Sequence, residues 1–353
     1  MSMGYLEFVG RRLLRMVLSL VVISALTFTL LQLAPGSFAD IQRANSGSTG
    51  MAGAAAQEVA GQFATRYGDD VPAWQQYLVF MKGALTWDLG PSYKYPAQSV
   101  ESIIAQGFPV SATLAILATL LALAIAIPIG VFAALKQRTA WDTGSMFVLT
   151  LGHALPSYLT AVFLVLIFAG ALHVLPAAGW SGPQSLILPV VALAIGPLAV
   201  LARYVRSSML DTLSEEYVTA AIAKGGRPGV VIRKHVLRNS LIPLVTVTGP
   251  MLAALMTGTV FIETMFRIPG LGLSFTQAAS SRDMPLLMGT TLFFAIILMA
   301  TNLVVDLVYG LLDPRVRAES GRKLRGSRVS RKNAGDAGAG GGEGGRPVVQ
   351  SLG

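Results

Sequence analysis

The chain has 353 residues, 53% of them hydrophobic and only 13% charged, with a mean hydropathy of +0.61. A soluble domain carries about a quarter charged residues, and here the apolar residues fall in long unbroken runs, which excludes a soluble globular protein and marks a polytopic membrane protein. The net charge of +9 reflects membrane topology rather than nucleic-acid binding, as its distribution below indicates, and the absence of cysteine excludes disulfides, thiolate metal sites and a cysteine nucleophile.

Six spans emerge in chain order: Met16 to Ala34, Val110 to Leu135, Thr143 to Leu172, Leu186 to Ala202, Leu241 to Ile262 and Met284 to Val305. None contains Lys, Arg, Asp or Glu. The first follows Arg11, Arg12 and Arg15 as a signal peptide would. It is too long, however, and ends in Gln32-Leu33-Ala34-Pro35-Gly36 without a small-x-small cleavage site, so it reads as a retained helix. The third, at 30 residues, exceeds the roughly 20 that a bilayer needs, and is expected to tilt or to extend beyond it. The fourth, at 17, is expected to continue as a helix past Arg203.

Basic residues set the orientation. With a cytoplasmic N-terminus, 21 of the 27 Lys and Arg fall in cytoplasmic segments and six outside, at Arg43, Arg66, Lys82, Lys94, Arg267 and Arg282. That bias places both termini in the cytoplasm of a multi-pass inner-membrane protein.

The first outer loop, residues 35–109, is long enough for a small appended structure. Val59 to Tyr67 and Trp74 to Leu85 read as amphipathic helices, with Trp74, Tyr77, Leu78 and Met81 on one face. Such a cap would lie on the membrane surface or serve as a platform for an external partner. At the other end of the chain, Gly335 to Gly345 holds seven glycines in 11 positions, and residues 318–353 read as a disordered Gly/Arg-rich tail whose basic residues can rest on anionic membrane lipid. The domain organisation is therefore an N-terminal segment with the first span (1–34), the outer loop (35–109), a body of five further spans (110–317) and the tail.

Within the body, residues 203–240 are polar, and one stretch stands out, Ser214 to Gly226. Ser214 is placed to cap a short helix, Glu215 and Glu216 lie where its dipole favours negative charge and Lys224 where it favours positive. Gly225 and Gly226 supply a left-handed stop. At about 1.5 Å per residue this helix cannot cross a bilayer. Ala220, Ala221 and Ala223 give it a low profile, as suits a plug for another protein's socket.

Catalytic chemistry is sparse. No P-loop pattern occurs, and His153, His173 and His235 lie apart from any second metal-ligand type, so neither ATP hydrolysis nor a metal site is expected in this chain. Gly179-Trp180-Ser181-Gly182 matches the Gly-x-Ser-Gly pattern of intramembrane serine proteases, but no later span holds a histidine to serve as base, and a loop turn explains it. Asn302 and Asp306 share a helical face, as a packing pair would. Met209, Met251, Met256 and Met265 are assigned no site. Pro128, Pro156, Pro189, Pro197 and Pro250 are expected to kink the spans that hold them.

Several segments together resemble the permease subunit of bacterial binding-protein-dependent ABC importers, in the B-type branch of the dipeptide/oligopeptide/nickel group. Tyr217-Val218-Thr219-Ala220-Ala221-Ile222-Ala223-Lys224-Gly225 with His235-Val236-Leu237-Arg238-Asn239-Ser240-Leu241-Ile242-Pro243 is similar to that group's version of the cytoplasmic "EAA" loop. Thr219 stands where the general motif has Glu, His235 where it has Ile and Arg238 where it has Pro. Arg11-Arg12-Leu13-Leu14, Leu33-Ala34-Pro35-Gly36, Pro109 to Leu114, Ile262 to Phe266, Pro269-Gly270-Leu271-Gly272, Asn302 to Asp306 and Leu312-Asp313-Pro314-Arg315 extend the likeness over residues 8 to 317.

The resemblance implies an all-α type I ABC importer permease fold of six transmembrane helices, with a helical outer loop between the first two. It implies a second homologous permease completing the pore, two ATPase subunits carrying ATP and Mg, an extracytoplasmic substrate-binding protein and a di- or oligopeptide substrate, with nickel or another small solute as the alternative. No cofactor is implied in this chain. ATPase coupling would fall to Glu216, Tyr217, Thr219, Ala220, Ala221, Ala223, Lys224 and Gly225. An intramembrane serine protease using Ser181 and a structural scaffold are the competing classes.

Overall fold

The computed structural model describes residues 3–33, 71–95 and 97–312, with side chains between 10 and 305. The helix expected at Val59 to Tyr67, the side-chain pairing of Asn302 with Asp306 and the tail lie outside what is described. The described secondary structure is helical: α1 (Met3–Leu33), α2 (Ala73–Thr86), α3 (Val100–Leu135), α4 (Ala140–Ala154), α5 (Ser157–Leu164), α6 (Pro183–Leu213), α7 (Glu216–Ala223), α8 (Pro228–Val231), α9 (Leu237–Leu241), α10 (Leu244–Gly258), α11 (Val260–Phe266), α12 (Leu271–Ser281) and α13 (Met284–Leu312). Two π-helical stretches, Val165–Ala171 and Ile232–Val236, follow α5 and α8. Residues 15–305 form one compact unit, within which the contacts below fall; residues 3–14 and 306–312, the far ends of α1 and α13, belong to a second.

Among the described residues four helices are long and apolar enough to cross a membrane, at Gly10–Leu33, Val100–Leu135, Pro183–Leu213 and Met284–Val305. Two bent pairs raise the number to six if each is one span. The third expected span is one of these pairs. Rather than tilting as one long helix, it breaks after α4, and the chain turns by 100° into α5. Pro156 causes the break: it has no N–H to offer and disfavours helical geometry at the residue before it, and Leu155 is extended (φ −81°, ψ 128°). The fifth span is likewise discontinuous, with a 45° bend between Leu241 and Leu244 at Pro243 and a further interruption at Thr259. The fourth continues past Arg203 to Leu213, as expected from its short apolar run.

The second span begins ten residues before its apolar run. Ser99 caps α3, its Oγ accepting from the Ser102 N–H at 3.4 Å, and Glu101 occupies the first turn. Pro109, the last residue of the expected outer loop, lies inside the helix instead.

α3 and α6 form the spine. Leu114, Ala118, Ala122, Ala126, Gly130 and Ala134 recur every four residues and are all buried. They meet Leu188, Ala192, Leu201, Ala202 and Val205 in the main apolar core. Small side chains let two helix backbones approach where lipid supplies no hydrophobic drive between them. At Gly130 the approach leaves no space for a side chain: a Cβ there would sit 2.7 Å from the Ala202 carbonyl oxygen and 2.7 Å from Val205 Cβ.

A second core lies where α2, the start of α3, α12 and α13 converge around Phe80, Leu89, Val100, Ile104, Leu271 and Leu286, with Phe28 of α1. The outer-loop helix α2 is thus partly packed into the body rather than only laid against a surface. Its inward face is Gln76, Tyr77, Phe80 and Met81, of which Gln76 accepts from the Gln32 amide at 2.7 Å and Tyr77 shares a 2.9 Å hydrogen bond with Ser24. Trp74 and Leu78, expected on the same face as Tyr77 and Met81, point away and are 61% and 55% exposed. The helix is apolar on more than one side, so hydrophobic spacing does not identify the packed face.

Candidate functional site

The short helix in the polar stretch is present as α7, eight residues or about 12 Å long. It begins one residue later than expected. Ser214 does not cap it: Ser214 closes α6, its hydroxyl donating back to the Asp211 carbonyl at 2.7 Å. Glu215 takes the extended N-cap position (φ −70°, ψ 141°) without a side-chain capping bond, and Glu216 opens the first turn. Serine satisfies local backbone groups equally well at the end of one helix as at the start of the next, and here the longer helix holds it.

The C-terminal end is as expected. Gly225 is left-handed (φ +85°), its N–H bonds the Ile222 carbonyl at 2.9 Å, and the Gly226 N–H bonds the Ala221 carbonyl at 3.1 Å. This is a Schellman closure. A Cβ on Gly226 would come within 2.7 Å of the Ala221 oxygen, so the second glycine is required by close approach.

Val218 is buried in the main core, and Ala221 packs against that core. Glu216, Tyr217, Thr219, Ala220, Ala223, Lys224 and Gly225 are all exposed. Seven of the eight residues singled out from the sequence thus lie on an open surface, while the eighth, Ala221, is half-buried beneath them. Ile222 joins this surface, 47% exposed. The Asn239 amide donates to Tyr217 Oη at 2.9 Å, tying α7 to α9. Ser208 Oγ donates to the Ser240 carbonyl at 2.9 Å, tying α9 to α6. The helix therefore sits on a fixed base and presents small side chains outward.

Polar fastenings elsewhere brace this base and the opposite end of the bundle. Asp142, in the first turn of α4, is buried and takes two hydrogen bonds from Arg206 of α6, Nε to Oδ1 at 2.5 Å and Nη2 to Oδ2 at 2.7 Å, with a third from the Arg138 N–H at 3.0 Å. Glu263 is fully buried on α11. Its Oε2 accepts from the Gly272 and Leu273 N–H groups at 2.7 and 3.1 Å, and Ser111 Oγ accepts from Leu271 N–H at 2.9 Å. The opening donors of α12 are thus satisfied by two other helices, as a helix N-terminus within an apolar bundle requires. Asp283 caps α13 through the Leu286 N–H at 3.1 Å and accepts from Ser92 Oγ at 2.5 Å.

No short-range pattern identifies these pairs, which are 64, 160 and 191 residues apart for Asp142–Arg206, Ser111–Leu271 and Ser92–Asp283. The available signals were a first-turn acid at Asp142 and a lone acid at Glu263 just before Pro269-Gly270-Leu271-Gly272. Gly179 (φ +113°) and Gly182 (φ +146°) make the Gly-x-Ser-Gly stretch a turn, with Gly182 leading into α6. Among the described residues no three His, Cys, Asp or Glu side chains gather as a metal site.

An apolar bundle with buried polar clamps, carrying a short exposed helix between two spans, defines a multi-pass membrane protein. The chain belongs to the family described as binding-protein-dependent transport system inner membrane component, whose model matches residues 126–318. It is 39% identical over 307 residues to the dipeptide transport system permease protein DppB of Bacillus subtilis (strain 168), covering 87% of this chain and 96% of that one. It is 36% identical over 314 residues to the oligopeptide transport system permease protein OppB of Haemophilus influenzae, covering 88% and 99%. A solved structure of the MetNI methionine ABC transporter in an inward-facing conformation aligns with a TM-score of 0.48 and 17% identity, covering 58% of this chain and 96% of that one. The chain is a permease subunit of a binding-protein-dependent transport system.

Proposed function

We propose that this permease forms half of a translocation pore for di- or oligopeptides, completed by a second homologous permease. An extracytoplasmic binding protein would deliver the peptide, and two ATPase subunits carrying ATP and Mg would drive its passage. The observation that carries the substrate class is the near full-length likeness to two permeases named for dipeptide and oligopeptide transport. In this reading both termini and residues 203–240 are cytoplasmic, in keeping with the basic residues there.

Coupling falls to α7 in the same reading. Glu216, Tyr217, Thr219, Ala220, Ala223, Lys224 and Gly225 form the surface that enters a groove on one ATPase, and Ala221 with Val218 anchors it to the bundle. A rigid helix on a fixed base transmits displacement without dissipating it in loop motion. ATP binding then needs only to favour one of two packings of the spans for access to alternate. The test is ATP-dependent uptake by the complete importer in proteoliposomes. Accumulation of labelled di- or tripeptide is expected; accumulation of nickel with no peptide uptake would overturn the assignment.

A further inference from the structure

The break in the third span lies in an unusual place. Its depth is fixed by α6, whose apolar run of residues 186–202 is centred near Ala194. A Cβ on Gly152 would lie 3.1 Å from Ile195 Cγ2, and one on Gly196 would lie 3.8 Å from His153 Nδ1. The end of α4 therefore sits beside the middle of an apolar span, not at its end. There the helix stops at Leu155 and restarts after Pro156 at 100°.

A helix end leaves carbonyl groups without intrahelical partners. At mid-membrane depth such backbone persists only where protein covers it or water reaches it, never against lipid. Yet the described residues leave its outer side uncovered: His153, Ala154, Leu155, Pro156, Ser157 and Tyr158 are all exposed. An ionisable imidazole and two hydroxyls thus face outward from the break, and ionisable groups within spans face cavities or pathways rather than hydrocarbon.

We propose that this break lines the aqueous translocation path, with His153 and Ser157 contacting the passing solute. Given the proposed function, on which this inference rests for its ligand, that solute is a peptide whose backbone carbonyls and carboxylate suit imidazole and hydroxyl donors. Proline at the break frees backbone beside His153 and Ser157, in a span whose hydroxyls at Ser145, Thr150 and Thr160 are spent on preceding carbonyls.

The absence of native cysteine permits a direct test in the complete importer. Ser157→Cys and, as a second variant, Ala154→Cys are probed with a membrane-impermeant thiol reagent, beside Val148→Cys on the exposed apolar part of α4. The thiolate is the reactive form, and each unit by which apolar surroundings raise its pKa slows the reaction about tenfold. Both path variants are expected to react at least about tenfold faster than Val148→Cys. Saturating peptide should reduce that reaction. Reaction only with a membrane-permeant maleimide, or crosslinking to the second permease without aqueous labelling, would overturn the proposal. Aqueous labelling that saturating peptide leaves unchanged, in an importer that takes up peptide, would overturn the contact with substrate. If the unmodified importer takes up no peptide, the substrate assignment fails while aqueous labelling still decides whether the break lines the path.

Discussion

Arg206 grips Asp142 in a two-pronged ion pair that joins the C-terminal third of α6 to the first turn of α4, with the carboxylate side chain 5% exposed and the guanidinium 31% exposed. The asymmetry in exposure has a consequence. Removing the arginine strands a buried charge, whereas removing the carboxylate leaves a guanidinium that water can reach. Arg206→Ala should therefore destabilise the subunit by about 3 kcal/mol. Asp142→Asn should destabilise it distinctly less, because the amide keeps one acceptor for Arg206 and the Arg138 N–H. Thermal inactivation of the purified complex measures both, and equal losses would show that the charge is not buried in the assembled importer.

Glu263 and Gly270 occupy one space. A Cβ on Gly270 would collide with the Glu263 carboxylate and approach Ser111 Oγ to 2.8 Å. Glu263→Ala removes the shared acceptor of two backbone donors and should cost about 2 kcal/mol. Gly270→Ala should also destabilise the wild-type protein, but less so when Glu263 is already alanine. Neighbouring substitutions that share a cause are not additive. A double-mutant cycle on thermal stability checks this, and simple additivity would contradict the packing described.

The α3–α6 contact makes a similar demand at Gly130. Gly130→Ala should destabilise the bundle by about 1–3 kcal/mol through overpacking. Adding Val205→Ala should recover part of that loss but not all, because the Ala202 carbonyl oxygen remains 2.7 Å from the new Cβ. Stability of the three variants in one detergent is the measurement.

How far the sequence reveals this molecule depends on the range of the interaction. Apolar runs identify the spans, since each reports on a local environment of about 20 residues. The end of α7 is legible for the same reason: Gly225 and Gly226 act within six residues of Ala221. Pro156 is visible as a kink in the third span, but the sequence does not state that the kink is a 100° break, because a proline fixes where the helix is interrupted and not the direction in which the chain leaves it. Ser214 is ambiguous between closing α6 and opening α7, and hydrogen bonding to Asp211 decides it. The start of α3 at Val100 is hidden because Ser99, Ser102 and Glu101 are polar capping residues outside the apolar run. The long-range pairs of Asp142, Ser111 and Asp283 leave no periodic trace, as their partners are brought near only by the completed fold.

In the proposed function, α7 is where the ATPases act on this permease. The direct measurement is disulfide crosslinking of Ala223→Cys, in a chain with no other cysteine, to single cysteines introduced along the groove of a partner ATPase in the assembled importer. A permease–ATPase crosslink whose yield changes when ATP binds is expected. No crosslink from any position between 216 and 225, in an importer that still transports peptide, would contradict it.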